Sequence, residues 1–389
     1  MNAIPPNAIL EATRLTRAGR LTEASALLRD MLGRPVPQAT ASAAVEARRV
    51  FDVDPDTGET CHPSIQARAR GQAGTPRMAS AFQGFLNDIG QGGPAPTRRP
   101  PMLDEEFLHG RFSSAGAARD YRLFCPSNHR DGSPPLVVML HGCTQSPEDF
   151  AAGTQMNALA EAHGCFVAYP RQPQSANAQK CWNWFSPADQ QRDRGEPALI
   201  AGITRQIISE HAVDPRRVYI AGLSAGGAAA AIMGQAYPEL YAAVGVHSGL
   251  ACGAARDVPS ALAAMRQGAP GSICGGIAKP MVPAIVFHAD GDGTVHPRNA
   301  DEVIAQFGRH GHVVATSERG QVPGGHAYTR TIHSSAMGDT LLEQWLIHGG
   351  GHSWSGGSAA GSYTDPRGPD ASREMLRFFL EHPRRNDPS

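Results

Sequence analysis

Four short apolar runs, at residues 136–140, 165–169, 218–223 and 284–287, constrain the fold of this 389-residue chain more than any other feature. Each run is followed at once by polar, proline or glycine residues, and amphipathic segments lie between them. Wholly apolar strands that alternate with amphipathic helices are typical of a mostly parallel, doubly wound α/β sheet with helices on both faces. Ligands bind such sheets at the carboxyl ends of the strands. We therefore expect the chemistry of this chain to lie where these four runs end.

Two different kinds of sequence precede this region. Residues 1–34 carry an approximately helical apolar stripe, which predicts a small helical hairpin. Because one hairpin cannot cover its own apolar face, we expect it to dock on a partner or to self-associate. Residues 35–104 are rich in proline, glycine, alanine and serine without a sustained period, which is typical of a linker or disordered segment. The α/β domain is predicted at residues 105–385.

Composition excludes several classes of partner. The formal net charge is −1 and there is no basic block, so we expect neither nucleic acid nor an anionic membrane surface as a partner. No stretch approaches the roughly 20 apolar residues of a membrane span. Charged residues interrupt every candidate apolar segment in the first 30 residues, so no signal peptide is predicted. The expected location is the cytoplasm, with secretion as the alternative if an export signal is missing or non-standard.

The seven cysteines include no Cys-x-x-Cys pair, so we predict no zinc or other metal site, and the motifs imply no cofactor. In an exported protein, Cys143 with Cys181 and Cys252 with Cys274 are the bridges we would expect. The sequence alone leaves the connectivity open.

The segment Gly222-Leu223-Ser224-Ala225-Gly226 lies between a β-rich run and an alanine-rich helical run. Strand, G-x-S-x-G and helix in this order are the context of the nucleophile elbow of α/β-hydrolases. The turn is so tight that the serine takes a strained backbone conformation and larger residues at the glycines would collide with neighbouring chain. Ser224 is therefore the predicted nucleophile, and the alternative is a glycine-serine turn that merely starts a helix.

A serine hydroxyl needs a base to take its proton, and in this fold the order along the chain is serine, acid, histidine. The acid candidates, Asp290 and Asp292, follow the fourth apolar run directly. We favour Asp292, because Val295 and Pro297 behind it resemble the end of an H-G-x-x-D-x-x-V loop. Asp290 stays an alternative, as does a plain turn or calcium-binding role for the loop.

The predicted base is His352, which follows three glycines and an apolar run near the carboxyl terminus. Those glycines would let the loop bring the imidazole back over the strand ends. His348 is the nearest rival. His326 and His333 alternate with apolar residues in what is predicted to be an antiparallel strand pair, and we expect them to be exposed or structural.

Two backbone N–H groups are predicted to stabilise an oxyanion. One belongs to Ala225, directly after the nucleophile, and the other to Cys143, in the loop after the first apolar run. His141 is expected to brace that loop. Trp182, Trp184 and Trp354 are candidate substrate-binding residues because tryptophan supplies apolar area for an alkyl or polyester chain. For Trp182 and Trp184, packing in the core is an equal alternative.

Several motifs together resemble the polyhydroxybutyrate (PHB) depolymerase family of esterases. They are, in chain order, "LHGCTQSPEDFAAGTQMNALAEAHGCFVAYP" (140–170), "CWNWF" (181–185), "GEPALIAGI" (195–203), "DPRRVYIAGLSAGGAAA" (214–230), "GVHSGL" (245–250) and "GGGHSWSGG" (349–357). The resemblance implies an α/β-hydrolase fold, no metal, and Ser224, Asp292 and His352 as catalytic residues.

The resemblance also implies the reaction, which is hydrolysis of poly-3-hydroxybutyrate or of other short-chain polyhydroxyalkanoates and their oligomers through an acyl-enzyme. The alternatives are a feruloyl or acetylxylan esterase and a general short-chain carboxylesterase. A non-enzyme alternative is a hydrolase-like protein that binds polymer granules or a scaffold, with the hairpin at 1–34 as the point of attachment.

Overall fold

The structure is a computed structural model that describes five segments of the chain: 107–114, 116–127, 132–271, 282–309 and 313–384. The hairpin predicted at 1–34, the linker predicted at 35–104 and Cys274 lie outside these segments, so those predictions stay predictions.

A ten-stranded sheet forms the centre of the described chain, with strand order β1-β2-β4-β3-β5-β6-β7-β10-β9-β8. Its strands are β1 (Phe107–Ser114), β2 (Ala117–Phe124), β3 (Leu136–Leu140), β4 (Phe166–Pro170), β5 (Val218–Leu223), β6 (Ala243–His247), β7 (Ala284–Ala289), β8 (Val313–Gln321), β9 (Ala327–Ser335) and β10 (Thr340–Ile347). A separate parallel pair joins β11 (Trp354–Ser355) to β12 (Thr364–Asp365).

The central six strands, from β4 to β10 in the spatial order, are all parallel, and antiparallel strands flank them on both sides. Every residue of β3, β4, β5, β6 and β7 is buried, which is why these strands read as apolar runs without alternation. The predicted mostly parallel sheet is confirmed. β6 is not among the predicted strands, because its five residues include a glycine and a histidine.

Helices cover both faces of the sheet, as predicted. One face packs against α3 (Gly195–Glu210), α4 (Ala225–Ala236), α5 (Val258–Gln267) and α6 (Arg298–Phe307). The opposite face packs against α1 (Pro147–Thr154), α2 (Met156–His163) and α7 (Ala371–Glu381). Within the described segments, no helix combines the length and the apolar character that crossing a membrane requires.

The carboxyl ends of the central strands lie level with one another. Leu223 at the end of β5 is paired with His247 at the end of β6, and His247 is paired with Phe287 of β7. On the other side of β5, Leu140 at the end of β3 is paired with Gly222. The loops that follow these strands therefore leave the sheet along one edge, and those after β3, β5 and β7 carry predicted site residues.

Candidate active site

Ser224 occupies the sharp turn between β5 and α4. Its backbone has φ 56° and ψ −117°, a strained conformation for a residue with a side chain, and its N–H donates to the His247 carbonyl at 2.9 Å. A Cβ at Gly226 would lie 2.0 Å from the Leu140 carbonyl oxygen, and one at Gly222 would lie 2.3 Å from the Gly226 carbonyl oxygen. The predicted strain and the predicted need for both glycines are confirmed.

Asp292 and His352 form a hydrogen-bonded pair above the neighbouring strand ends. His352 Nδ1 donates to Asp292 Oδ2 at 2.7 Å, and the aspartate side chain is completely buried. The other carboxylate oxygen, Oδ1, accepts from the backbone N–H groups of Thr294 at 2.9 Å and Val295 at 2.8 Å. Because Nδ1 carries the proton in this arrangement, the His352 Nε2 lone pair is left to accept one.

His288, at the end of β7, is a second histidine beside Asp292. Its Nε2 donates to the Val295 carbonyl at 2.8 Å and lies 3.4 Å from Asp292 Oδ2. Burial alone would raise the pKa of Asp292, but the charge of His352 and the hydrogen bonds from both histidines hold that pKa well below its ordinary value. These contacts therefore favour the ionised form of Asp292. His288 is not among the residues predicted from the sequence.

The rival residues Asp290 and His348 pair with each other. His348 Nδ1 donates to Asp290 Oδ2 at 2.8 Å, and the N–H of Gly349 donates to Asp290 Oδ1 at 2.7 Å. His348 Nε2 accepts from the hydroxyl of Thr329 at 2.9 Å. This pair fixes the start of the glycine loop that carries His352. The structure thus separates the alternatives: Asp292 contacts the predicted base, and Asp290 contacts its rival.

His247 joins the nucleophile turn to the loop of the base. Its carbonyl accepts from Ser224, while its ring Nε2 accepts from the N–H of Ser355 at 3.0 Å. The ring is completely buried and stacks on Trp354 with centroids 5.0 Å apart. Burial lowers the pKa of His247 to about 3, so the ring stays neutral and Nε2 stays an acceptor. Ser355 is 108 residues further along the chain, and no local sequence pattern signals this contact.

The predicted oxyanion donors lie on adjoining segments. In the described part of the chain, the backbone N–H groups of Cys143 and Ala225 donate no hydrogen bond. The first turn of α4 packs closely against the end of β3. A Cβ at Gly226 would come within 2.6 Å of the His141 carbonyl oxygen. Both N–H groups are thus without an acceptor among the described residues, on segments that adjoin the Ser224 turn, as the predicted role of oxyanion donor requires.

His141 braces this loop, as predicted. Its Nδ1 donates to the Gly142 carbonyl at 2.8 Å, and its Nε2 accepts from the N–H of Gln172 at 3.1 Å. Burial lowers the pKa of His141 to about 4, so the ring is neutral near pH 7 and keeps both bonds.

Cys143 and Cys181 form a disulfide, which confirms one of the two bridges expected for an exported protein. Cys252 is also disulfide-bonded, and its predicted partner Cys274 lies outside the described segments. Cys125 and Cys165 are free thiols. Among the described residues, no group of three or more histidine, cysteine, aspartate or glutamate side chains is placed to hold a metal ion.

The three candidate tryptophans pack inside the protein. Trp182, Trp184 and Trp354 are 0%, 6% and 1% exposed. Trp182 Nε1 donates to the His141 carbonyl at 3.0 Å, and Trp354 Nε1 donates to Ser372 Oγ at 3.0 Å. This burial favours the alternative of core packing that the sequence left open for Trp182 and Trp184. The predicted contact of the three tryptophans with a substrate stays a prediction. The part-exposed Tyr363 has its hydroxyl 3.3 Å from Oγ1 of Thr144, the residue that follows Cys143.

The fold and the arrangement of the site place the chain in the α/β-hydrolase class. A family model described as "Esterase PHB depolymerase" matches residues 119–324, a span that includes Ser224 and Asp292. The chain belongs to this family. His352 lies beyond the matched span, so its assignment depends on its contact with Asp292.

Similar proteins carry several esterase names. The chain is 33% identical over 228 residues to a poly(3-hydroxyalkanoate) depolymerase C of Paucimonas lemoignei, covering 56% of this chain and 54% of that protein. It is 30% identical over 190 residues to a probable acetylxylan esterase A of Neosartorya fischeri, covering 45% and 51%. With a feruloyl esterase B of Thermothelomyces thermophilus, identity is 28% over 242 residues, covering 57% and 79%.

A solved structure, an acetyl xylan esterase from Aspergillus awamori, has a TM-score of 0.54 and 20% identity, and the match covers 70% of this chain and 99% of that one. At this identity the likeness supports the shared fold. The chain spans about half the length of the depolymerase and the acetylxylan esterase that it matches in sequence.

Proposed function

We propose that the protein is a serine carboxylic-ester hydrolase that acts on short-chain polyhydroxyalkanoate or its oligomers. The observation that carries this proposal is the combination of Ser224 in a strained elbow with the buried Asp292–His352 pair, 2.7 Å between Oδ2 and Nδ1, at the same edge of the sheet. Nucleophile, base and orienting acid on these three loops are the arrangement that ester hydrolysis by an acyl-enzyme requires.

The proposed reaction has two steps. His352 Nε2 takes the proton of Ser224 as Oγ attacks the ester carbonyl, and the N–H groups of Cys143 and Ala225 stabilise the oxyanion. The C–O bond to the alcohol breaks as His352 returns the proton to the leaving oxygen, which leaves an acyl-enzyme. Water then attacks the acyl carbon, with His352 as base again, and the acid is released. Asp292 holds the imidazole tautomer and stabilises its positive charge in both steps.

The polyester as substrate is supported by the family and by the name of the Paucimonas lemoignei relative. A second candidate, de-esterification of acetylated or feruloylated polysaccharide, is supported by the acetylxylan and feruloyl esterases among the relatives. Both candidates use the same chemistry at the ester carbonyl, so they differ in the groups that flank that carbonyl.

Parallel assays distinguish these substrates. The purified full chain is given p-nitrophenyl butyrate, amorphous polyhydroxybutyrate, acetylated xylan and a feruloyl ester, with Ser224→Ala as the matched blank. We expect release of 3-hydroxybutyrate oligomers by the wild type, and a folded Ser224→Ala variant without ester hydrolysis. Turnover confined to the polysaccharide esters would favour the second candidate, and turnover confined to the small ester would indicate a general carboxylesterase. Appreciable turnover by Ser224→Ala would contradict the nucleophile assignment.

The compartment follows from cysteine chemistry under this proposal. Disulfides persist in oxidising compartments and are rare in the cytosol of mesophiles. The Cys143–Cys181 disulfide therefore favours the exported alternative over the cytoplasmic location predicted from the N-terminal residues. Fractionation of the source cells, with thiol counting of the protein recovered from each fraction, checks this inference.

Attachment to polymer granules or self-association through residues 1–34 stays a proposal, and so does the non-enzyme alternative of a granule-binding protein. Sedimentation with amorphous polymer, comparing Ser224→Ala with the same variant lacking residues 1–34, measures attachment without hydrolysis of the polymer. Binding that needs residues 1–34 would support the hairpin as the attachment point. Equal binding by both would place attachment in the rest of the chain.

A further inference from the structure

Two loops meet beside Ser224, and several links hold them together. The oxyanion loop (residues 141–146) follows β3, and the tryptophan loop (residues 171–186) follows β4 and contains no regular helix or strand. The N–H of Thr144 donates to the Gln179 carbonyl at 2.6 Å, the N–H of Gln172 donates to His141 Nε2, and Trp182 Nε1 donates to the His141 carbonyl. The Cys143–Cys181 disulfide is the covalent link between the loops, and it acts on the residue that carries the oxyanion donor.

Both loops have unfavourable backbone conformations next to the disulfide. Thr144, directly after Cys143, has φ 68°, and Lys180, directly before Cys181, has φ 54°. The left-handed region is rarely occupied by residues other than glycine, asparagine and aspartate, and least of all by a β-branched residue such as threonine. Such conformations persist where the surrounding structure enforces them. The disulfide is one such constraint on the segments that carry both residues, together with the hydrogen bonds that the N–H groups of Thr144 and Lys180 donate to the carbonyls of Gln179 and Asn177.

The far side of the tryptophan loop is anchored on a helix. Glu196, in the first turn of α3, is 5% exposed. Its carboxylate accepts from the N–H of Asn183 at 2.8 Å, from Asn183 Nδ2 at 2.7 Å and from Gln172 Nε2. The tryptophan loop is thereby fixed to the core, and the disulfide transmits this fixed position to Cys143.

We propose that the Cys143–Cys181 disulfide is a positioning element for ester hydrolysis: it holds the backbone N–H of Cys143 where the oxyanion forms. This inference rests on the proposed function. A backbone N–H cannot be aimed by rotation of a side chain, so its position depends on the contacts that hold its loop. Oxyanion donors act through preorganisation, and they act on a charge that exists in the transition state and not in the bound ester. Loss of the disulfide should therefore lower kcat and leave KM nearly unchanged.

The double variant Cys143→Ser/Cys181→Ser tests this directly, because it keeps both backbone N–H groups and removes only the covalent link. On p-nitrophenyl butyrate we expect kcat to fall about 10- to 100-fold, less than the roughly 10²–10³-fold cost of losing one donor completely. KM should stay within about twofold. Binding of a trifluoromethyl ketone, which forms a tetrahedral oxyanion on the serine, should weaken by about the same factor as kcat/KM falls.

A matched control removes a different disulfide. Cys252→Ser breaks the bridge of a half-cystine that belongs to neither loop, and it should keep kcat within about twofold of the wild type. If the double serine variant does not fold, the wild-type protein is reduced in its folded state with a phosphine. Alkylation and mass spectrometry then report which cysteines have opened. Activity should fall in step with the thiols of Cys143 and Cys181 and return when the bridge is re-formed.

Unchanged kcat and unchanged ketone affinity, in the folded double variant or in wild type with Cys143 and Cys181 reduced, would overturn the inference. An effect on KM alone would also overturn it, because it would assign the bridge to substrate binding. Both results leave the proposed function intact as long as hydrolysis still depends on Ser224. The proposed function itself fails if the wild type hydrolyses no ester or if Ser224→Ala retains activity.

Discussion

Two aspartate–histidine pairs lie side by side at the carboxyl edge of the sheet, and they differ in their surroundings. Asp292–His352 and Asp290–His348 use the same atoms, Oδ2 and Nδ1, at 2.7 and 2.8 Å. The side chains of the first pair are 0% and 10% exposed, whereas those of the second are 42% and 37% exposed. Hydrogen-bond geometry therefore does not distinguish a proposed catalytic pair from a neighbouring one, whereas burial and additional donors do.

Of the two carboxylates, the buried Asp292 receives more hydrogen bonds than the exposed Asp290. Asp292 accepts two backbone N–H groups and the Nδ1 proton of His352, and it has His288 within 3.4 Å. In a site removed from water, each of these donors favours the charged carboxylate more than it would at the surface. Asp290 is screened by solvent, and its partners are the start of the glycine loop and His348. Asp292 is thus built to hold a charge next to the base, and Asp290 to hold a loop.

Replacement of each aspartate by asparagine tests this comparison most strongly. We expect Asp292→Asn to lower kcat by about 10⁴-fold, the size of the effect when the orienting acid of a serine triad becomes an amide and the histidine tautomer is lost. Asp290→Asn should cost less than about tenfold, because an exposed pair is worth about 0–1 kcal/mol. Steady-state hydrolysis of p-nitrophenyl butyrate by both variants measures the two effects. The reverse order of damage would transfer the role of acid to Asp290.

The sequence alone favours Asp292 over Asp290, because the residues that decide between them are close together along the chain. Strand β7, the Asp-Gly turn and Val295 are contiguous, so local order fixes which carboxylate follows the strand end in the right position. The same holds for the elbow, where Gly222 and Gly226 are required by contacts with the turn itself and with the end of β3. His352 followed from the order of the three residues along the chain and from its glycine-rich flank.

The parts that sequence does not reveal depend on contacts between distant segments. His247 is one residue of a short strand, and its bond to Ser355 exists only because the base loop folds back over β6. The tryptophans show the same problem in reverse. Residue type and closeness to a motif mark Trp182 and Trp354 as candidates for a binding surface, but which face of a ring is covered depends on His141 and Ser372, which come from other parts of the chain.

Replacement of His288, the second histidine beside Asp292, tests how much the buried contacts of this carboxylate contribute to hydrolysis. His288→Gln should lower kcat about tenfold. A buried hydrogen bond to a charged group is worth about 1.5–3 kcal/mol. The contact of His288 with Asp292 is long, at 3.4 Å, and its N–H is shared with the Val295 carbonyl, so we expect an energy at the low end of that range. His348→Gln, the corresponding change in the exposed pair, should cost about twofold. Thermal unfolding of both variants separates this effect from a loss of folded protein. Equal kcat in the two variants would remove His288 from the support of the acid.

The dependence of the unfolding free energy on pH is expected to show the smallest difference between the two pairs. It also measures most directly how strongly each carboxylate is stabilised as an anion. Both aspartates have a pKa below the ordinary value: burial opposes this in each, and histidine contacts and hydrogen bonds outweigh it. A carboxylate with a lowered pKa in the folded state stabilises the protein fully above the unfolded-state pKa, about 3.9, and this contribution is lost as the pH falls toward the folded-state value.

We therefore expect the difference in unfolding free energy between wild type and Asp292→Asn to shrink steadily as the pH falls below about 4. Asp290→Asn should show the same direction with a shallower slope, since solvent screens that pair. Urea unfolding at pH values from 3 to 7 measures both curves. Equal slopes would show that the two carboxylates are equally stabilised as anions, and the distinction drawn from burial and from the additional donors of Asp292 would then be wrong.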